Sequence, residues 1–181
     1  MRHSYEARLD LLRLRPLMQM DIELLRNWRN DYQLSRFFRK IGFISAECQL
    51  QWYRKYLLEE NDYYWAIVEN DKTIGALSIY NILGTNAEIG RIMIGDADAR
   101  GNGYGYKALI MAMQIGFKQL GLQTFVLNVH EKNTIALHIY KRIGFIKVGS
   151  HPFDDKGNEY EMIIDLNAFE TKNPMIKKIV L

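Results

Sequence analysis

An α/β fold, with a mixed β-sheet and helices on both faces, is what the 181-residue sequence predicts. Three observations lead there. Residues 87 to 121 join an apolar strand-like run, a glycine-rich turn and a long helical pattern. A second strand-to-helix step follows over 124 to 142. The chain then closes with Phe145 to Ser150 and Glu159 to Asp165, two runs around the turn-forming Asp154-Asp155-Lys156-Gly157-Asn158 that read as a hairpin. Strand-helix steps followed by a hairpin call for parallel and antiparallel neighbours in one sheet.

Taken in order, Leu12-Arg13-Leu14-Arg15-Pro16 alternates as a first strand and stops at proline. Met20 to Trp28 reads as a first helix, with Asp21 a candidate N-cap and Ile22, Leu25 and Trp28 spaced by threes along one face. Ser45, with Glu47 in the first turn, opens a second helix through Leu50, Tyr53 and Leu57. Tyr63 to Val68 and Ile74 to Ile82 are strands joined through Glu69-Asn70-Asp71-Lys72-Thr73. The strand at 87 to 94 precedes a helix from about Gly103 to Leu120, whose Ala108, Met111, Ala112 and Ile115 share a face. A strand over 124 to 129 and a helix from about Asn133 to Arg142 lead into the closing hairpin, giving the order βααβββαβαββ. No repeat, low-complexity linker or proline-rich break divides the chain. A single domain over 1–181 is expected, with its core at about 11–165 and a C-terminal tail at 166–181.

Composition supports one core, since 48% hydrophobic and 12% aromatic residues suffice at this length. No apolar run approaches the roughly 18 residues that span a bilayer, and Met1 to Arg8 lacks the apolar stretch of a secretion signal, so a cytoplasmic location is expected. The lone Cys48 forms no internal disulfide and joins no Cys/His cluster; it reads as a small apolar filler on a helix, and no metal site is expected. Net charge is +3 from 24 Lys+Arg and 21 Asp+Glu, a balance that does not indicate nucleic acid but suits a polyanionic cofactor.

The stretch Arg100-Gly101-Asn102-Gly103-Tyr104-Gly105, set between strand and helix, has the makings of an anion cradle. Glycine admits positive φ and close backbone approach, so successive N–H groups can face phosphate oxygens while the helix adds its positive end. A Walker A loop would close with Gly-Lys-Ser/Thr, whereas Gly105 is followed by Tyr106-Lys107-Ala108. Gly103-Tyr104-Gly105-Tyr106-Lys107-Ala108 does satisfy the looser Gly-x-Gly-x-x-Ala dinucleotide spacing. Location weighs against that reading, because the loop lies past mid-chain and the strand at 124 to 129 ends without an acidic residue for a ribose.

The loop matches Arg/Gln-x-x-Gly-x-Gly/Ala more fully, and downstream stands Asn133-x-x-Ala136-x-x-x-Tyr140-x-x-x-Gly144-Phe145. With these two motifs in this order, the chain resembles the GCN5-related N-acetyltransferases (GNAT superfamily) over roughly Leu11 to Asp165. The resemblance implies a GNAT fold with a splay between the fourth and fifth strands, and acetyl-coenzyme A as cofactor. Arg100, Gly101, Asn102, Gly103, Tyr104 and Gly105 would then hold the pyrophosphate. Backbone groups of Ile92, Met93 and Ile94, left unpaired by the splay, would bond the pantetheine amides, with Asn133 and Tyr140 completing the cofactor site.

The same resemblance gives Tyr140 the mechanism. Acetyl transfer passes through a tetrahedral species that expels coenzyme A thiolate, and a phenol near the sulfur can protonate it. The attacking amine must lose a proton. Glu88, at the start of the splayed strand, is the first candidate base, acting through water; His130, across the splay, is the second and also a candidate acceptor contact. Asn133 could cap its helix as well as bond the pantetheine.

For the acceptor, Leu24 to Asp31, Ile44-Ser45 and Gln51-Trp52-Tyr53 resemble the branch holding ribosomal-protein N-terminal, polyamine and nucleotide-linked amino-sugar acetyltransferases. Trp28, Arg29 and Trp52 look most like the last of these and could stack on and pair with a nucleotide diphosphate. A polyamine site would want clustered carboxylates; Glu59-Glu60-Asn61-Asp62 is the clearest cluster in the first half and reads as a solvated loop. A protein N-terminus or polyamine acceptor, and a non-catalytic acyl-coenzyme A binding module, are the alternatives. The expected partner is a small-molecule amine, with a homodimer left open and neither nucleic acid nor membrane.

Overall fold

The computed structural model describes residues 2–39, 42–153 and 157–181. Among them eight strands form one sheet: β1 (Ala7–Leu9), β2 (Leu12–Pro16), β3 (Asp62–Glu69), β4 (Lys72–Leu83), β5 (Asn86–Ile94), β6 (Thr124–His130), β7 (Ile146–Pro152) and β8 (Asn158–Asp165), in the spatial order β1-β2-β3-β4-β5-β6-β8-β7. Neighbours are antiparallel except β5 and β6, which run parallel, so the sheet is mixed as expected. The helices are α1 (Ile22–Asn30), α2 (Tyr32–Ser35), α3 (Ala46–Tyr56), α4 (Tyr104–Lys118), α5 (Thr134–Ile143) and α6 (Leu166–Lys172). The expected turn residues Asp154, Asp155 and Lys156 lie outside the described residues.

Three elements go beyond the sequence reading. β1 pairs with β2 and turns expected strands four and five into β5 and β6. The single-turn α2 opens on Asp31, whose side chain accepts the Gln33 N–H. Residues 166–181, expected as a tail, carry α6, which is capped by Asp165 accepting from Ala168 N–H at 2.8 Å. Its Phe169 is fully buried, and beyond it Arg8 and Val180 exchange backbone hydrogen bonds.

Two apolar layers sandwich the sheet. On one face α1 and α3 bring Leu25, Tyr53 and Tyr56 against Tyr64, Ala66, Val68, Ala76 and Met93. On the other lies α4, where Ala108 to Met113 are buried all round. A helix with no polar stripe needs cover on several sides. The sheet covers one side of α4; α5 and the C-terminal segment cover others. Cys48 sits on α3 as expected, but it is exposed, because the inward face of that helix is taken by Gln49, Tyr53 and Tyr56.

Two irregularities position the site. Pairing between β5 and β6 runs only from Asn86↔Thr124 to Glu88↔Val126, while β6 stays paired to β8 along its full length. Beyond Glu88, therefore, no strand among the described residues pairs with the β6-side edge of β5. β5 also bulges: Ser78 pairs with Gly90 and Ala76 with Met93, so three steps on β5 answer two on β4, and Arg91 takes φ +51°. The extra residue inverts the facing. Ala87 and Ile89 join the α4-side core before the bulge; after it Ile92 and Ile94 do so and Met93 turns to the α1 side.

Candidate active site

The wedge between β5 and β6 opens into a cavity of about 520 Å³. Glu88, Gly90, Arg91, Ile92 and Met93 wall it from β5, Asn128, Val129 and His130 from β6, and Asn133, Ala136 and Tyr140 from α5. Tyr64, Tyr80, Asn81 and Glu159 line it from the sheet, with Arg29, Phe37, Phe38 and Arg39 from α1 and the loops after it. Of the sequence-predicted residues, Tyr140, Glu88, Ile92, Met93, Asn133, His130 and Arg29 are brought together here.

Tyr140 is held by its helix. Asn133 caps α5 by accepting from Ala136 N–H at 3.2 Å, and Gly144, at φ +118°, ends it. Ala136 and Tyr140, one turn apart, thus share the wedge-facing side. The ring packs edge-on to Phe145 at 5.9 Å between centroids. Burial pushes the phenol up to about 12, so it is a protonated donor throughout the neutral range.

Glu88 sits where the strands part. Asn81, in a left-handed bulge of β4 at φ +51°, donates its amide to the Glu88 carboxylate at 3.0 Å. Tyr80, directly across the ladder, has its phenol raised by burial first and by Glu88 second. The next bulge residue, Arg91, lays its guanidinium 3.9 Å from the Tyr80 ring centroid and pairs with Asp62 at 2.6 Å. His130 is held between Phe37 and Phe153, and its Nδ1 accepts the Lys132 N–H at 3.1 Å. With Nδ1 occupied as an acceptor, Nε2 is the ring nitrogen left to meet a ligand.

The glycine loop is built as a cradle. Gly101 (φ +82°) and Gly103 (φ +74°), the N-cap of α4, are left-handed, and a Cβ on either would enter open space rather than protein. Gly105 does not take positive φ, which corrects the expectation for it: it lies in the first turn of α4, with Ile94 Cγ1 3.9 Å from where a Cβ would stand. Asp96 shapes the loop by accepting from Asp98 and Ala99 N–H and pairs with Lys72 at 2.5 Å, so its charge is turned inward and offset. Asn102 donates to Asp98 O at 3.1 Å, and the Tyr104 hydroxyl donates to Glu69.

Arg100 also works within the protein, donating to Ile94 O at 3.1 Å and Gly95 O at 2.6 Å; it clamps the loop to the end of β5. Trp28 and Trp52 are not among the cavity's lining residues. Trp28 packs on Gly95 so closely that a Cβ there would lie 1.9 Å from its ring, and Trp52 stacks on Tyr56 and meets Tyr64 edge-on. Both belong to amphipathic helices whose apolar faces are spent on the core.

The arrangement offers a strand edge for an amide-bearing arm, a nest of N–H groups and a helix start for phosphates, and a protonated phenol facing a wedge lined by both arginines and carboxylates. The acetyltransferase (GNAT) domain model matches residues 12–146. An uncharacterized protein of Methanocaldococcus jannaschii is 27% identical over 161 residues, 85% of this chain; the chain spans 31% of that relative's length. Acetyltransferase PseH of Campylobacter jejuni is 26% identical over 129 residues, covering 71% of this chain and 79% of PseH. A spermidine N-acetyltransferase of Vibrio cholerae, solved with CoA and spermine, superposes with a TM-score of 0.82 at 21% identity, covering 90% of this chain and 99% of that one, which is a likeness of fold. Two motifs, the wedge and a match over three quarters of the sequence agree: the chain belongs to the acetyl-coenzyme A-dependent N-acetyltransferases of the GNAT family.

Proposed function

We propose that the chain acetylates the amine of a nucleotide-linked amino sugar, with Tyr140 as general acid and Glu88 as base through water. Bound acetyl-coenzyme A would supply a thioester that gives up its acetyl group and leaves as a thiolate. The residues fit that group: the cradle at Gly101 and Gly103 faces open space, and beyond Glu88 the β5 edge is not paired to β6, although the carbonyl of Ile94, expected to be free for the pantetheine, is taken by Arg100. Tyr140 holds its proton at neutral pH, so a proton is in place for the departing thiolate to take up. Glu88, oriented by Asn81, accepts the proton of an incoming ammonium through a bridging water.

One observation supports the acceptor class. Three arginines line the cavity, and Arg91 is paired with Asp62 and Arg39 with Glu159, which leaves Arg29 without an ion pair among the described residues and Glu88 as the one lining carboxylate without one. A polycation would find a single free carboxylate there, whereas an anionic acceptor would find a free guanidinium. The polyamine reading keeps the fold likeness to the spermidine enzyme in its favour. The test is an acceptor panel with acetyl-coenzyme A, reading free thiol against nucleotide-linked amino sugars, spermidine and peptide N-termini. Preferred turnover of a nucleotide-linked sugar supports the proposal; preference for spermidine or a peptide overturns it.

A further inference from the structure

Beside the cleft, the end of α1 and the segment after it enclose a second groove of about 400 Å³, which shares Arg29, Phe38 and Arg39 with the first. Arg29, Arg36 and Arg39 put three guanidinium groups on its wall, and its described lining holds no Asp or Glu. Arg39 shares its charge with Glu159 at 3.2 Å; among the described residues Arg29 and Arg36 have no such ion pair. Like charges gathered in one concavity raise its potential, and planar guanidinium groups match phosphate oxygens two at a time.

The groove is also framed and partly apolar. Asn30 and Ile44 exchange two hydrogen bonds, each 2.9 Å, which tie the far side of the segment to α1. At the rim Tyr32 and Phe43 leave aromatic rings 66% and 80% exposed. Exposed rings next to unneutralised guanidinium groups suit a ligand that carries both phosphates and a flat ring.

We propose that this groove is the nucleoside-diphosphate subsite of the acceptor. Arg29 and Arg36 grip the phosphates, Phe43 and Tyr32 face the base, and the sugar amine passes Phe38 into the cleft toward Tyr140. This rests on the nucleotide-linked sugar reading and adds to it the residues that read the nucleotide.

The test uses the full chain saturated with coenzyme A, so that the cofactor's own nucleotide site is filled. Uridine diphosphate, thymidine diphosphate and inorganic pyrophosphate serve as calorimetric probes, and uridine- and thymidine-linked amino sugars serve as acceptors beside the same sugars free. A nucleoside diphosphate should bind more tightly than pyrophosphate, and should compete with the acceptor rather than with acetyl-coenzyme A. The double variant Arg29→Ala/Arg36→Ala should weaken that binding at least tenfold and cut the kcat/KM preference for linked over free sugar by a similar factor. Arg36→Lys on the Arg29 background should restore part of it, and the exposed Arg54→Ala control on α3 should behave as wild type. Linked sugars turned over with their preference untouched by the double variant would overturn this subsite while leaving the acceptor class standing. Failure of every linked sugar, with turnover of spermidine or a peptide, would overturn both.

Discussion

Glu88 and Val126 are the last residues to pair across β5 and β6, so the Glu88 carboxylate stands at the apex of the wedge, held by Asn81 at 3.0 Å. A base placed there matters only while the acceptor arrives as an ammonium. Glu88→Gln keeps the Asn81 contact in outline and removes the carboxylate proposed as the base. It should lower kcat/KM at neutral pH by roughly 10²-fold and move the optimum to higher pH, where the amine is free without help. A pH–rate profile parallel to wild type would shift the task to bulk water.

The cradle depends on two left-handed glycines. At Gly103 (φ +74°) a β-branched side chain costs about 1 to 3 kcal/mol in backbone strain alone and would project into the open side of the loop. Gly103→Val should weaken acetyl-coenzyme A binding by at least tenfold in calorimetry, with the fold checked by circular dichroism. Gly105→Val carries no such backbone cost and should lose affinity only as far as its side chain meets the ligand. Equal, wild-type-like affinity in both folded variants would refute the cradle.

Acid should loosen the protein through a residue far from the chemistry. His3 is buried beside Trp65, 4.9 Å between ring centroids; it bonds Tyr64 O through Nε2 and has a partnerless Nδ1. Burial lowers its pKa from 6.5 to about 4, outweighing the Tyr64 hydrogen bond that raises it. Between those values the unfolded chain binds the proton and the folded chain does not. The stability gained by keeping the ring neutral is therefore present above pH 6.5 and lost as pH falls toward 4, to the extent of about 3 kcal/mol. Urea unfolding at several pH values should show that slope, and His3→Phe should flatten it; parallel slopes would contradict it.

Much of this was legible in the sequence because periodicity and glycine spacing are local. The strand, loop and helix of residues 87–121 and the helix carrying Tyr140 follow from such patterns. β1 was not legible: three residues give too little alternation, and its turn relies on a left-handed Asp10 (φ +56°). The bulges at Asn81 and Arg91 leave no mark in composition, yet they aim Glu88, Tyr80 and Arg91 at the cavity. Trp28 shows the converse. Its spacing with Ile22 and Leu25 already placed it on a buried face, and Gly95 was the signal for where it would land, since only a residue without Cβ accepts the ring. Phe37, Arg39 and Glu159 reach the cleft from segments far apart in sequence, and no local pattern announces that meeting.

The most direct measurement is the turnover of Tyr140→Phe with the best acceptor, alongside its affinity for acetyl-coenzyme A. The substitution keeps the ring against Phe145 and removes only the hydroxyl, so packing survives and the proposed acid does not. The account predicts kcat lower by roughly 10²-fold or more with cofactor affinity nearly intact. A kcat equal to wild type would contradict it.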